Sequence, residues 1–194
     1  ITNDKTPTLT LIFHMDTLHA LLVKRHSIRR YTEQPISPDD VTTIMQAALL
    51  APSSKSKRPW QFVIVEDRDK LATLATCKAV AAHAIRGARF AVAVCADPTS
   101  SDMYLEDCAI AAEFMQLQAA ALGIGSCWVQ VRGRFTADGT PSEEMVREEL
   151  GIPENFTVEC IMSFGYSAEN RKPVDLEKLK WEQVHIEKWT NREQ

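Results

Sequence analysis

Helices alternating with strands in one layered domain, α+β or α/β in class, is the fold this sequence predicts, and three observations predict it. Short β-branched and aromatic runs are separated by longer segments with apolar residues at helical spacing. Ser37-Pro38 and Thr140-Pro141, each followed by acidic residues, punctuate the chain where helices begin. Asp102 to Leu122 is small or apolar almost all round, which in a soluble chain marks a helix covered by others.

The elements follow in order. Leu18, Leu21 and Leu22 form a short apolar-periodic helix that ends in a cationic cluster. Ser37 is an N-cap, Pro38 takes the first helical position and Asp40 the first turn, and Val41, Ile44, Met45, Ala48 and Leu49 keep helical spacing up to Pro52. Residues 60–66 read as a strand, 70–86 as one or two alanine-rich helices ending at Gly87, and 89–95 as a second strand. The long apolar helix stops at Gly123, and a third strand covers Cys127 to Val131. Thr140-Pro141-Ser142-Glu143 predicts a capping box opening a helix to Leu150. Thr157 to Phe164 is the fourth strand. From Leu176 to Trp189 charged residues carry spaced apolar ones, a pattern of an arm lying on another surface, such as a second subunit. Residues 1–14 read as an N-terminal extension, disordered or left over from cloning, with Met15 an alternative start. Residues 15–194 read as one domain whose arm spans about 176–194.

Composition excludes several classes. A net charge of −4 over 194 residues argues against a nucleic-acid binder. No apolar run approaches the roughly 20 residues that span a bilayer, so no membrane role is expected. The five cysteines are widely spaced, without Cys-x-x-Cys, which suggests neither a zinc site nor a disulfide framework and points to a reducing cytoplasm. The histidines lack metal-ligand spacing, and there is no Gly-x-Gly-x-x-Gly, P-loop or Gly-x-Ser-x-Gly elbow. An enzyme without an evident nucleophile or metal can carry its chemistry on a cofactor.

Four segments hold the chemistry. Lys24-Arg25-His26-Ser27-Ile28-Arg29-Arg30-Tyr31 gathers cations, an imidazole and a hydroxyl at a helix end, suited to a phosphate because guanidinium groups donate in pairs to its oxygens. Ala51-Pro52-Ser53-Ser54-Lys55-Ser56-Lys57-Arg58-Pro59-Trp60 is a second hydroxyl-rich cationic loop, stiffened by prolines, able to converge with the first on one polyanion. Gly123-Ile124-Gly125-Ser126-Cys127-Trp128 ends like the nucleophile signature of papain-like proteases. That reading fails, because Ile124 stands where the signature has cysteine and only His185 follows Cys127. Gly123 as helix cap and Gly125 as turn is one reading, and small residues admitting a flat ligand close to the backbone is another. The fourth segment is the polar turn Gly165 to Pro173, with Arg171 and Lys172.

Taken together, in order and spacing over about residues 16–190, these segments resemble the FMN-dependent nitroreductase family: Arg-x-Ser-x-Arg-x-aromatic at 25–31, Ala-Pro-Ser to Pro-Trp-x-Phe at 51–62, Leu-Gly-x-Gly-Ser-Cys-Trp at 122–128, and Gly-Tyr before a basic residue and Pro at 165–173. The resemblance implies an α+β fold with a central mixed sheet flanked by helices. It also implies an intertwined homodimer embraced by the C-terminal arms, with FMN at the interface. Carried over residue by residue, Arg25, His26 and Ser27 would hold phosphate and ribityl chain, with Arg171 and Lys172 completing the phosphate site. Arg29 would lie near the pyrimidine edge. Pro52, Ser53, Ser54, Lys55 and Ser56 would come from the other subunit, and Ser126, Cys127 and Trp128 would line the isoalloxazine ring. Two positions depart from the pattern: Ser56, where many members have Asn, and Arg58, where they have Gln. Serine has fewer donors and less reach than an asparagine amide.

The function so implied is ping-pong transfer from NADH or NADPH through FMN to an electron-poor acceptor such as a nitroaromatic or quinone, with no catalytic side chain and no metal. The alternatives are a specialised member (enone reductase, dehalogenase or flavin-consuming enzyme) and a flavin-binding protein without turnover.

Overall fold

The computed structural model describes residues 17–189. The extension at 1–14, Met15, and the tip of the arm at 190–194 lie outside the described residues. Six helices and four strands follow in the order α1 (Leu18–Lys24), α2 (Pro38–Leu50), β1 (Trp60–Val65), α3 (Arg68–Leu74), α4 (His83–Gly87), β2 (Phe90–Ala96), α5 (Tyr104–Ala121), β3 (Gly125–Gln130), α6 (Ser142–Leu150) and β4 (Thr157–Gly165). The sheet order is β1-β2-β4-β3. All three strand pairings are antiparallel. The sheet expected from the resemblance is mixed. Its parallel component among the described residues is an isolated bridge, Ser27 to Ser126, which lays the cationic segment along the edge of β3.

Strands β2 and β4 are central, and every residue of β2 is buried. The pleat sends alternate side chains into two cores. Phe90, Val92, Val94 and Ala96 join Cys160, Met162 and Phe164 against α2 and α5. Ala91, Ala93 and Cys95 join Val158 and Ile161 against α3, α4 and α6. Covering both faces explains why these strands read as continuous apolar runs rather than as alternating ones. The rings of Phe90 and Phe164 stack with centroids 4.6 Å apart.

Helix α2 begins as expected: the Ser37 hydroxyl accepts the Asp40 N–H at 3.1 Å and donates to the Asp40 carboxylate at 2.8 Å. The capping box at α6 does not form. Pro141 occupies the N-cap without a side-chain cap. The buried Ser142 hydroxyl instead donates to the Cys77 carbonyl, and Glu143 accepts the Val158 N–H at 3.2 Å. Both side chains tie α6 to the rest of the fold, where burial makes an unpaired polar group costly.

Helix α5 buries one face, including Cys108, Ala111, Ala112, Met115 and Ala119. Its other face leaves Ile110 and Phe114 38% and 37% exposed, so within one chain the expected all-round burial is half fulfilled. Gly123, with φ of +73°, is the left-handed residue that ends this helix. Beyond β4, the arm leaves Val174 bonded to the Val23 carbonyl at 2.9 Å and runs through two short 3-10 turns, Leu176–Lys178 and Trp181–Gln183. Its apolar residues are open to solvent: Trp181 is 64% and Ile186 85% exposed.

Candidate functional site

Backbone pairing carries the cationic segment into place. The Ile28 N–H donates to the Ser126 carbonyl at 2.9 Å, the Thr32 N–H to the Tyr166 carbonyl at 2.8 Å, and the Ala168 N–H to the Arg30 carbonyl at 2.9 Å. Residues 25–32 are thereby held between the start of β3 and the turn after β4. Tyr31 is packed over Gly165, where a Cβ would come within 2.6 Å of its ring. Its hydroxyl bonds Ser163, and burial raises its pKa.

The result is a cleft of about 390 Å³. Its walls are Leu21 and Lys24–His26 from the end of α1 and Ser167 with Glu169–Arg171 from the turn after β4. Its floor is Ala120, Gly123, Ile124, Gly125 and Ser126. Of the residues expected at a phosphate site, Arg25, His26 and Arg171 meet here. Arg25, half-buried, has no hydrogen-bond or ion-pair partner among the described residues, so its guanidinium is open to an anion entering the cleft. His26 is oriented by donating from Nε2 to the Lys172 carbonyl at 2.8 Å. Lys172 thus contributes its backbone carbonyl, which orients the His26 ring. Ser27 lies opposite Ser126 in the parallel bridge, a backbone pairing that leaves its hydroxyl uncommitted among the described residues, and the Arg29 guanidinium reaches the Ser27 carbonyl at 3.4 Å.

Glu169 is the feature that sequence reading missed, although it lies inside the fourth segment. Its side chain is 5% exposed. One oxygen accepts the Arg29 and Arg30 N–H groups, each at 2.9 Å, and the other pairs with the Arg171 guanidinium at 2.5 Å. The bond from the Arg29 N–H, with Arg171 beside it, holds the carboxyl below the ordinary glutamate value. A group depressed in this way stabilises the fold above the ordinary value, and that contribution fades as pH falls through the folded one. Glu169→Gln keeps an acceptor for the two N–H groups but loses the ion pair. The variant is expected to melt lower than wild type at neutral pH and to lose less stability on acidification below about pH 4.5, as melting curves taken across that range would show.

Other expected residues fall elsewhere. Cys127 is 3% exposed and Trp128 packs into the core beside α5, and neither lines the cleft. The indole of Trp128 donates to Gln130, which in turn donates to Glu159. Burial pushes the thiols of Cys77 and Cys95 up to about 11 and that of Cys108 to about 12, and raises Cys127 and Cys160 as well. All five are buried, and the upward shifts favour the thiol over the thiolate that a nucleophile requires. Gly125 lies in the cleft floor and is also required by packing: a Cβ there would meet Ile28 at 3.0 Å and the Gly165 carbonyl at 3.1 Å. Instead of forming a turn, it starts β3.

The loop Pro52–Ser56 is also distant from the cleft. Its Ser54 N–H bonds Asp107 in the first turns of α5, whereas the cleft is floored by Ala120 at the other end. Thirteen helical steps separate Asp107 from Ala120, about 20 Å. One chain therefore holds its two cationic, hydroxyl-rich loops at opposite ends of one helix.

The nitroreductase family model matches residues 22–97 and 78–166. The chain belongs to the nitroreductase family. Over 183 residues, 90% of this chain and all of the relative, it is 36% identical to an Archaeoglobus fulgidus protein provisionally named an NADH dehydrogenase/NAD(P)H nitroreductase. An FMN-dependent nitroreductase from Clostridium difficile R20291 superposes with a TM-score of 0.85 at 40% identity, covering 87% of this chain and 98% of that one. The NADPH:FMN oxidoreductase of Vibrio harveyi, complexed with NAD+, gives 0.75 at 25% identity over 91% and 79%. The α+β nitroreductase fold is thus shared across most of the chain. No helix among the described residues is long and apolar enough to cross a membrane.

Proposed function

We propose that this nitroreductase-family chain is an FMN-dependent NAD(P)H oxidoreductase that works as a cytoplasmic homodimer with FMN at the subunit interface. The observation that carries the reading is the unpartnered Arg25 guanidinium in a cleft shared with His26 and Arg171. The residues fit the group: a phosphate takes Arg25, with His26 and Arg171 around it, and the apolar floor of Ala120 and Ile124 suits one face of a flat ring. FMN named for the C. difficile and V. harveyi relatives supports the choice of cofactor.

The separation of the two loops supports the homodimer, each loop being read as one half of a shared flavin site. Two copies of α5 packed antiparallel about a two-fold axis bring the N-terminal end of one beside the C-terminal end of the other. Residues 52–56 of one chain would then face the cleft of its partner. Ile110 and Phe114 on the open face of α5 would be covered, as would the apolar residues of the arm.

FMN, when bound, supplies reversible two-electron redox chemistry. The chain's own residues bind and orient. Arg25 and His26 anchor the phosphate end, Arg29 places positive charge beside the cleft, and the partner's loop completes the wall. No side chain in the cleft is required as nucleophile or base. NADH or NADPH and then an electron-poor acceptor, nitroaromatic or quinone, would use the same open face in turn, giving ping-pong order.

An absorbance spectrum of the purified protein with added FMN, taken before and after anaerobic NADH and then NADPH, tests this reading. The expected result is flavin bands that are bleached by one donor and restored by an acceptor. A protein that takes up no FMN overturns the cofactor, and bound flavin that neither donor bleaches overturns the activity.

A further inference from the structure

Asp107 is 2% exposed, a carboxylate buried in the first turns of α5. One oxygen accepts the Ser54 N–H at 2.8 Å and the other the Ser101 hydroxyl at 3.4 Å. Among the described residues, the first of these is the one hydrogen bond that joins residues 52–58 to the rest of the chain. The other bonds of the loop close on the loop itself: Ser56 N–H to the Ser53 carbonyl at 3.1 Å, Lys57 N–H to the Ser54 carbonyl at 3.0 Å, and Arg58 N–H to the Ser53 hydroxyl at 2.9 Å.

The loop's shape is one that a free segment would not keep. Lys55, Ser56 and Arg58 have φ of 51°, 54° and 48°, three left-handed residues in four positions and none of them glycine. L-residues reach that region only at a cost, and they persist there where the surroundings over-determine the backbone. The internal bonds shape the turn, and the carboxylate fixes where it sits.

Resting on the two-subunit flavin site above, we propose that Asp107 is a positioning residue for that site: by holding the Ser54 N–H it locks the 53–58 loop in the strained form that one subunit presents to FMN on the other. Asp107 touches no ligand. It acts through the loop, at the end of α5 remote from its own chain's cleft, so a change here would be felt by flavin bound to the partner.

The experiment compares Asp107→Ala, Asp107→Asn and Ser54→Pro, which removes the donor from the other side, with the double variant Asp107→Ala/Ser54→Pro. Each is titrated with FMN by fluorescence quenching, and the visible circular dichroism of the bound flavin is recorded. Asp107→Ala and Ser54→Pro are each expected to weaken FMN binding about tenfold or more and to alter the flavin dichroism. Asp107→Asn keeps an oxygen acceptor and should stay within about threefold of wild type. The double variant should be no worse than the weaker-binding single, the signature of one shared interaction. Wild-type affinity and dichroism in Ser54→Pro, or losses in the double that equal the product of the singles, would overturn the inference while leaving the flavin site standing. A wild-type chain that takes up no FMN overturns the site reading, and this inference with it.

Discussion

Arg25→Ala is expected to raise the dissociation constant for FMN roughly a hundredfold, so that protein purified without added flavin is colourless. The guanidinium lines the cleft half-buried and without a protein partner, so its interaction energy is available to a ligand rather than already satisfied. A charge-assisted bond to phosphate is worth about 1.5–3 kcal/mol, and the upper end of that range corresponds to the stated loss. Arg171 does not substitute, because Glu169 already holds it at 2.5 Å. Folding should be little affected, since no protein group loses a partner. Flavin fluorescence titration beside a thermal melt separates the two effects, and normal flavin content in the variant would remove the phosphate from this end of the cleft.

Phe114→Asp is expected to give a monomer that binds no flavin at micromolar concentration. In one chain Phe114 is 37% exposed on the open face of α5, where an aspartate would be harmless. At a two-fold interface the same substitution places two like charges in apolar surroundings, and an unpaired buried charge costs about 3–5 kcal/mol. Dimerisation would weaken more than a thousandfold on that scale. Flavin should go with the dimer, because residues 52–56 lie about 20 Å along α5 from their own chain's cleft. Light scattering with and without FMN reads both effects together. A dimeric, yellow Phe114→Asp protein would place the interface elsewhere.

Local chemistry made much of the fold legible. The Ser37-Pro38 start of α2 is encoded by groups three residues apart, and it forms as expected. The strands of the two cores were readable because β2 and β4 are apolar on both faces, although direction and neighbour order were not. Thr140-Pro141-Ser142-Glu143 carries the same kind of local signal and still fails as a capping box. Its Glu143 carboxylate accepts the Val158 N–H, distant in sequence and closer to hand once the chain had packed, while the neighbouring Ser142 hydroxyl bonds the Cys77 carbonyl.

The site divides the same way. That Arg25, His26 and Arg171 belong to cation-rich loops was readable from residue type, and the packing brings all three to one cleft. That Arg171 is neutralised by Glu169, and that Lys172 offers a carbonyl, depends on side-chain directions that no spacing encodes. Asp107 looked like an ordinary acid in the first turns of a helix, where the dipole favours one, and only its burial against the Ser54 N–H marks it as an anchor.

By itself the sequence determined which segments are helix and strand, which residues are greasy enough to be core, and which loops hold cations and hydroxyls, since all of these are properties of neighbours along the chain. Only the tertiary structure decided that the two cationic loops sit at opposite ends of α5, that the floor of the cleft excludes Cys127 and Trp128, and that one face of α5 is left open. Those are distances between residues far apart in sequence, set by how the sheet and helices pack, and they are the ground for proposing that a second copy of the chain closes the site.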